Sequence, residues 1–247
     1  FKRFYPDADT RFHLESLVDL CKRHQSGEHV FPDNIDVVTG GFPCQPFSTV
    51  GKMLGELDTR GTLFNDIIRI CEYKKPRYIL LENVKGLLGK KHRPTFDKII
   101  SELNRIGYIN VQYAILNSKD YGVPQKRERV FVIGLKKEFQ LPKLVLNFSE
   151  PPILFKDIDD GNIGGENKIA PCDIPYYDLC KQGESISKHH PKGNRFNSIR
   201  LNMNDVPNTL VAGSSLYHPL YKRGLNNNEL LKLSTFPMDY NWGGQKL

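Results

Sequence analysis

The 247-residue chain contains no run of apolar residues long enough to span a bilayer, so an integral membrane protein is not expected. It has little cysteine: five residues, at 21, 44, 71, 172 and 180, with no C-x-x-C pair and no Cys/His cluster at zinc-finger spacing. An odd, scattered set of this kind implies free thiols, a reducing compartment and no metal. The glycine-rich nucleotide loops G-x-G-x-x-G and G-x-x-x-x-G-K-[ST] are both missing, which argues against a nucleoside-triphosphate motor. Internal repeats are missing too, excluding a solenoid. Acid is in deficit, with 28 Asp and Glu against 35 Lys and Arg, and the resulting +7 favours a polyanionic partner without proving one. The chain begins at Phe1 rather than Met and carries no terminal signature, the pattern expected of a piece of a longer protein.

What is present reads first as alternating strand and helix. Ile35-Asp36-Val37-Val38 is a short apolar run ending in the loop GGFPCQPFS, which predicts a buried strand delivering a loop. Leu63, Ile67, Ile70 and Cys71 fall at helical spacing, with Thr62 as the expected cap. Tyr78 to Leu81 is a second apolar run, followed at once by Glu82-Asn83. A helix is expected over Pro94–Arg105, with Gly107 past its end, and strands over Val111–Leu116 and Val130–Leu135. This alternation predicts an α/β fold on a largely parallel sheet, whose strand ends collect functional groups. Cys44 and Glu82, each just after an expected strand, would share that edge. From Leu141 to Gly213 the chain is rich in Pro, Gly, Asn, Asp and Ser and has little periodicity, as in a second, irregular domain. Asn227 to Leu233 predicts a short Asn-capped helix closed by Phe236-Pro237.

Three groups carry candidate chemistry. Cys44 is held between prolines in a glycine-rich loop; it is either a buried structural thiol or a nucleophile. Glu82 is either a capping carboxylate with a salt bridge to Lys85 or an acid paired with that thiol. Arg127 and Arg129, in QKRERVFVIG, are either solvated edge charges or two guanidinium forks on one face, suited to phosphate or carbonyl oxygens. Lys85, Lys90, Lys91 and Arg93 add a basic loop suited to a nucleic-acid backbone.

GGFPCQPFS, RGTLF at 60–64, ENV at 82–84 and QKRERVFVIG at 125–134, in that order, resemble the central motifs of the cytosine-C5 DNA methyltransferases of bacterial restriction-modification systems. Arg223-Gly224-Leu225 with Glu229, Leu233 and Phe236-Pro237-x-x-Tyr240 resembles that family's penultimate motif. The resemblance is close from Asp36 to Leu135, returns at Arg223–Tyr240, and is weak between them. It implies a Rossmann-like S-adenosylmethionine-dependent methyltransferase sheet (1–140), a smaller irregular target-recognition domain (141–213) and a return segment (214–247). Duplex DNA would be the substrate, bound by a bacterial or phage-encoded cytoplasmic monomer with a cognate restriction endonuclease as a further partner. The implied catalytic residues are Cys44, Glu82, Arg127 and Arg129. Cys44 would add to cytosine C6, and Glu82 would hydrogen-bond or protonate N3, a state that burial would favour. Arg129 would hold O2, and Arg127 a phosphate or the thiol's surroundings. S-adenosylmethionine would contact Phe42, Pro43 and Leu63. DNA contacts are implied for Gln45, Ser48, Asn83, Gln125 and Thr209, the last in a Thr-Leu pair like the family's. The target base must be flipped out of the duplex, at a cost of a few kcal/mol.

Two departures stand out. The family's opening glycine-rich segment and its closing segment are both missing, so the residues for adenosine and ribose are unassigned. Two rivals use the same residues differently: a tRNA cytosine-C5 methyltransferase, against which Phe42-Pro43 stands in place of Pro-Pro, and a non-catalytic DNA-binding subunit or remnant, which would not need Cys44, Glu82 and Arg129 together.

Overall fold

A computed structural model describes residues 15–42, 59–140, 142–146, 148–165, 167–195, 197–211 and 215–240, with only the backbone described at 59–62. The chain divides into two compact units: 1–115 with 129–145, and 116–128 with 146–247. Among the described residues no helix is long and apolar enough to cross a membrane.

The first unit is built on strands β1 (Val37–Gly41), β2 (Tyr78–Val84), β3 (Tyr108–Asn117) and β4 (Glu128–Lys136), in the order β1-β2-β4-β3. β1 and β2 run parallel, with Gly41 opposite Glu82. β2 and β4 run antiparallel, with Val84 opposite Arg129. The largely parallel sheet expected from the strand–helix alternation is therefore corrected to a mixed one. The reason is local: no long helical crossover separates β3 from β4, and only such a crossover brings successive strands into parallel register.

The described α-helices of this unit are α1 (Leu17–Gln25), α2 (Thr59–Lys74) and α3 (Arg93–Arg105). α1 is capped by Ser16, whose side chain accepts from the Val18 amide. Because α2 starts at Thr59, Thr62 lies within its first turns and is not its cap. α3 begins as expected, with Pro94 in its first turn, and ends before Gly107, whose φ of +88° suits a residue without a Cβ. Phe64, Ile67, Ile68 and Cys71 of α2, Phe96, Ile99 and Leu103 of α3, and Ile79 and Leu81 of β2 share one buried core. Gly40 lets α2 approach β1 closely: a Cβ there would stand 2.7 Å from Ile67 Cδ1.

The second unit has little regular structure. It contains the single-turn helices α4 (Phe155–Ile158) and α5 (Ile174–Tyr177), the parallel pair β5 (Ser198–Arg200) and β6 (Ser215–Tyr217), and α6 (Asn227–Leu233). Two small cores hold it together. Phe155, Leu201, Leu216, Leu225 and Leu233 form one, and Ile169, Tyr177, Cys180, Ile186 and Tyr217 the other.

Candidate active site

In the first unit the site is built where β1, β2 and β4 meet. Glu82 lies inside β2, not after it as expected, because the strand continues to Val84. Its Oε1 accepts from Arg129 Nε at 2.8 Å; the Arg129 side chain is 20% exposed and that of Glu82 40%. The burial that would favour a protonated Glu82 is thus only partial. Its second oxygen faces the backbone of β1: a Cβ on Gly41 would lie 3.3 Å from Glu82 Oε2. Glycine at 41 therefore keeps this oxygen clear.

Asn83, only 5% exposed, spends its amide within the protein. Its Nδ2 donates to the Phe42 carbonyl at 2.7 Å, and its Oδ1 accepts from the Val84 amide at 2.9 Å. The first of these bonds pins the last described residue before Cys44 to the strand that carries Glu82. Phe42 is itself buried and packs on Phe64, ring centroids 5.4 Å apart. Leu63 is partly buried on α2. Pro43, Cys44, Gln45 and Ser48 lie outside the described residues.

Four thiols are described, at Cys21, Cys71, Cys172 and Cys180, all free. Burial pushes the Cys21 thiol up to about 11 and the Cys71 thiol up to about 12. Burial raises that of Cys180 as well. These three are packing groups held away from thiolate chemistry.

Arg127 belongs to the second unit. Its amide donates to Asn117 Oδ1 at 3.1 Å, and its carbonyl accepts from the Ser118 amide at 3.0 Å. With Ser118, Val123, Gln125, Leu210 and Ser234 it lines a recess of about 260 Å³. A guanidinium in an open, hydroxyl-rimmed recess is suited to an anionic oxygen. Gln125, 7% exposed, accepts from the Leu210 amide at 3.2 Å and donates to the Leu233 carbonyl at 3.4 Å. Thr209 Oγ1 donates to the Lys126 carbonyl, and Lys126 Nζ pairs with Asp205 at 2.6 Å. Asn83, Gln125 and Thr209 are therefore all engaged inside the protein. Sequence reading missed Asn117, Ser118 and Ser234 in this setting; an Asn closing a strand was the one available signal.

A buried polar cluster joins α6 to the rest of the second unit. Arg223 grips both oxygens of Glu229 at 2.8 Å, and both residues are buried. His218 Nδ1 accepts from the Leu220 and Tyr221 amides, each at 3.1 Å, which leaves Nε2 as the donor facing Asp159 Oδ1 at 3.3 Å. Asp159, His218 and Glu229 lie close enough to hold a cation, but Arg223 occupies the Glu229 oxygens and the imidazole acceptor is already used. The cluster is a structural network.

Comparison with known proteins bears on this arrangement. The chain is 38% identical over 214 residues to the Type II methyltransferase M.HaeII of Haemophilus aegyptius, covering 83% of this chain and 64% of that protein. It is 36% identical to the Type II methyltransferase M.HpaII of Haemophilus parainfluenzae, covering 74% and 50%. The chain thus spans between half and two-thirds of the length of these curated relatives. Two solved structures share the fold. A DNA modification methyltransferase encoded within an E. coli prophage has a TM-score of 0.65 at 22% identity, over 90% of this chain and 75% of that one. Spodoptera frugiperda DNMT2 has a TM-score of 0.62 at 17% identity, over 95% and 82%. The sequence model of the C-5 cytosine-specific DNA methylase matches residues 10–247, and the chain belongs to that family.

Proposed function

We propose that this chain carries the catalytic centre of a DNA (cytosine-5)-methyltransferase acting on a cytosine flipped out of duplex DNA. The observation that carries this reading is the Glu82–Arg129 pair, 2.8 Å apart on adjacent strands, beside the strand that leads into Cys44 and is pinned to them by Asn83. A pyrimidine presents N3, an exocyclic amine and O2 along one edge. A carboxylate next to a guanidinium is complementary to that edge, with Glu82 reading N3 and the amine and Arg129 donating to O2.

Cytosine C5 is a poor carbon nucleophile. The Cys44 thiolate forms a bond to C6, and the electron pair of the 5,6 double bond is released toward C5, with charge on the ring met at N3 by Glu82 and at O2 by Arg129. S-adenosylmethionine, when bound, would supply an electrophilic methyl carbon for that electron pair, its bond to the sulfonium sulfur breaking to leave the neutral thioether S-adenosylhomocysteine. A base then takes the C5 proton, the 5,6 double bond reforms, and Cys44 leaves as thiolate. Phe42 and Leu63, with Pro43 following Phe42 in sequence, would form an apolar wall for the donor, which suits its uncharged portions. Arg127, in its recess, would hold a DNA phosphate. Asn83, Gln125 and Thr209 act as positioning residues.

The test is to incubate the full chain with S-adenosylmethionine and duplex DNA containing 5-fluorocytosine, which cannot lose a C5 proton. A denaturation-resistant adduct mapped to Cys44, absent in Cys44→Ala, is the expected result. Methylation retained by Cys44→Ala would overturn the mechanism, and an adduct with tRNA but not with duplex DNA would overturn the substrate.

A further inference from the structure

His218 is a titratable group whose bare nitrogen is built into the backbone of the second unit. Residues 218–221 fold back over its ring, so that Nδ1 accepts from both the Leu220 and the Tyr221 amides, each at 3.1 Å. The imidazole is fully buried, stacked on the Tyr221 ring and edge-on to Phe155 of α4. Three charged groups face it: Asp159, with Oδ1 3.3 Å from Nε2; Glu229 of α6, with Oε1 3.7 Å away; and the Arg223 guanidinium that Glu229 already binds. Tyr177 of α5 reaches the same turn, its hydroxyl donating to the His218 carbonyl at 2.7 Å and the Tyr221 carbonyl at 2.9 Å.

One proton is incompatible with this arrangement. In an imidazolium both ring nitrogens are donors. A proton on Nδ1 would point at two N–H groups, so the charged ring keeps its place only if the Leu220 and Tyr221 amides let go. The released state has support of its own, because the imidazolium would lie beside two carboxylates, Asp159 and Glu229, with Arg223 opposing it. The turn therefore has two arrangements, closed on a bare nitrogen and open on an imidazolium, and protons choose between them. Burial holds the imidazole below its ordinary value of 6.5, so the closed turn persists through neutral pH and yields on the acid side.

The turn is tied to the recess that contains Arg127. Arg200 of β5 donates to the Pro219 carbonyl at 2.9 Å, and the Arg223 amide donates to the Tyr221 carbonyl at 2.7 Å. Arg223 in turn binds Glu229, whose carboxylate closes the N-terminus of α6 by accepting from the Asn226 amide. The other end of this seven-residue helix reaches the recess: the Leu233 carbonyl accepts from Gln125, and Ser234 lines the wall. One short helix joins the histidine turn to the proposed phosphate contact.

We infer that the His218–Tyr221 turn is an acid-released latch on DNA binding: closed, it seats α6 against the Arg127 recess, and opened by a proton on His218 it frees the helix, so that the recess loses a wall. This inference rests on the DNA-methylating reading and adds a control over its phosphate contact. Duplex affinity of the full chain is measured by fluorescence anisotropy at fixed salt from about pH 7.5 to 5.5, for the wild type and for His218→Asn, whose carboxamide oxygen can accept from the same two amides but cannot titrate. The wild type is expected to lose about ten-fold more affinity toward acid pH than the variant. Parallel profiles overturn the latch alone. If His218→Asn does not fold, hydrogen exchange on the wild type decides: relative to intrinsic rates, protection of the Leu220 and Tyr221 amides should fall as the pH is lowered while that of β2 amides holds. Unchanged protection at 220 and 221 overturns the latch. A wild type that binds no duplex at any pH overturns the DNA reading and the latch's output together.

Discussion

On the proposed function, Asn83 is a side chain that would serve the reaction without touching the substrate. Its amide is the buried donor for the Phe42 carbonyl, and Asn83→Ala would leave that acceptor unmet at a cost of about 1–3 kcal/mol. The variant is expected to unfold at lower urea concentration and to slow methyl transfer in single-turnover assays, because the chain leading into Cys44 loses its anchor. Wild-type single-turnover rates would remove Asn83 from the positioning role. Gly41→Ala acts from the other side, placing a methyl 3.3 Å from Glu82 Oε2. The carboxylate must give by a few tenths of an ångström, and the expected outcome is a drop in rate with stability nearly unchanged. Equal rates in Gly41→Ala and wild type would show that the oxygen's clearance is immaterial. His218 gives a residue-scale pH dependence. Burial holds its imidazole below the ordinary value of 6.5, outweighing the raising effect of Asp159. The unfolded chain therefore takes up the proton first, so this contribution is complete above about pH 6.5 and declines as pH falls below it. His218→Asn keeps an acceptor for the Leu220 and Tyr221 amides but cannot titrate. Its unfolding free energy should be flatter than wild type between pH 7 and 5, and identical slopes would assign the acid loss to other groups.

At the scale of elements, α6 shows a helix whose N-terminus is also a tertiary joint. Asn226 caps it by accepting from the Glu229 amide at 2.9 Å, and Glu229 returns the contact to the Asn226 amide at 2.9 Å. The same Glu229 neutralises buried Arg223. Removing the carboxylate strands a buried guanidinium as well as opening the cap. Glu229→Ala should therefore destabilise the second unit by about 3–5 kcal/mol, well above the ~1 kcal/mol of a simple cap. Arg223→Ala combined with Glu229→Ala should cost less than the sum of the two single losses, a comparison made by chemical denaturation; strict additivity would mean the pair is not coupled. The helices were largely legible from spacing: Leu63, Ile67, Ile70 and Cys71 do lie on α2, and Pro94 and Gly107 do bracket α3. The start of α2 was not legible, because a Thr preceding an apolar run looks the same whether it caps a helix or continues one. Strand direction was likewise hidden, since β4 reads as an apolar run in either orientation.

At the scale of the whole molecule, the +7 net charge should appear as a steep salt dependence of DNA binding. The logarithm of affinity is expected to fall linearly with the logarithm of salt concentration, with a slope of about −3 or steeper, measured by fluorescence anisotropy on a duplex. A flat dependence would mean that phosphate contacts contribute little. The sequence by itself determined the family, through ordered motifs, and the α/β alternation, through local periodicity; it also placed Glu82 with the second apolar run and the Cys44 loop after the first. Only the tertiary structure decided which polar side chains remain available. Asn83 is used by a carbonyl 41 positions away and Gln125 by one 108 positions away. Arg195 is used by an aspartate 22 positions away. In sequence, Asn83 and Gln125 carry implied DNA contacts, and Arg195 carries no assignment. A hydrogen bond is satisfied by whatever packing brings within 3 Å, and that neighbour is set by the whole fold rather than by the adjoining residues.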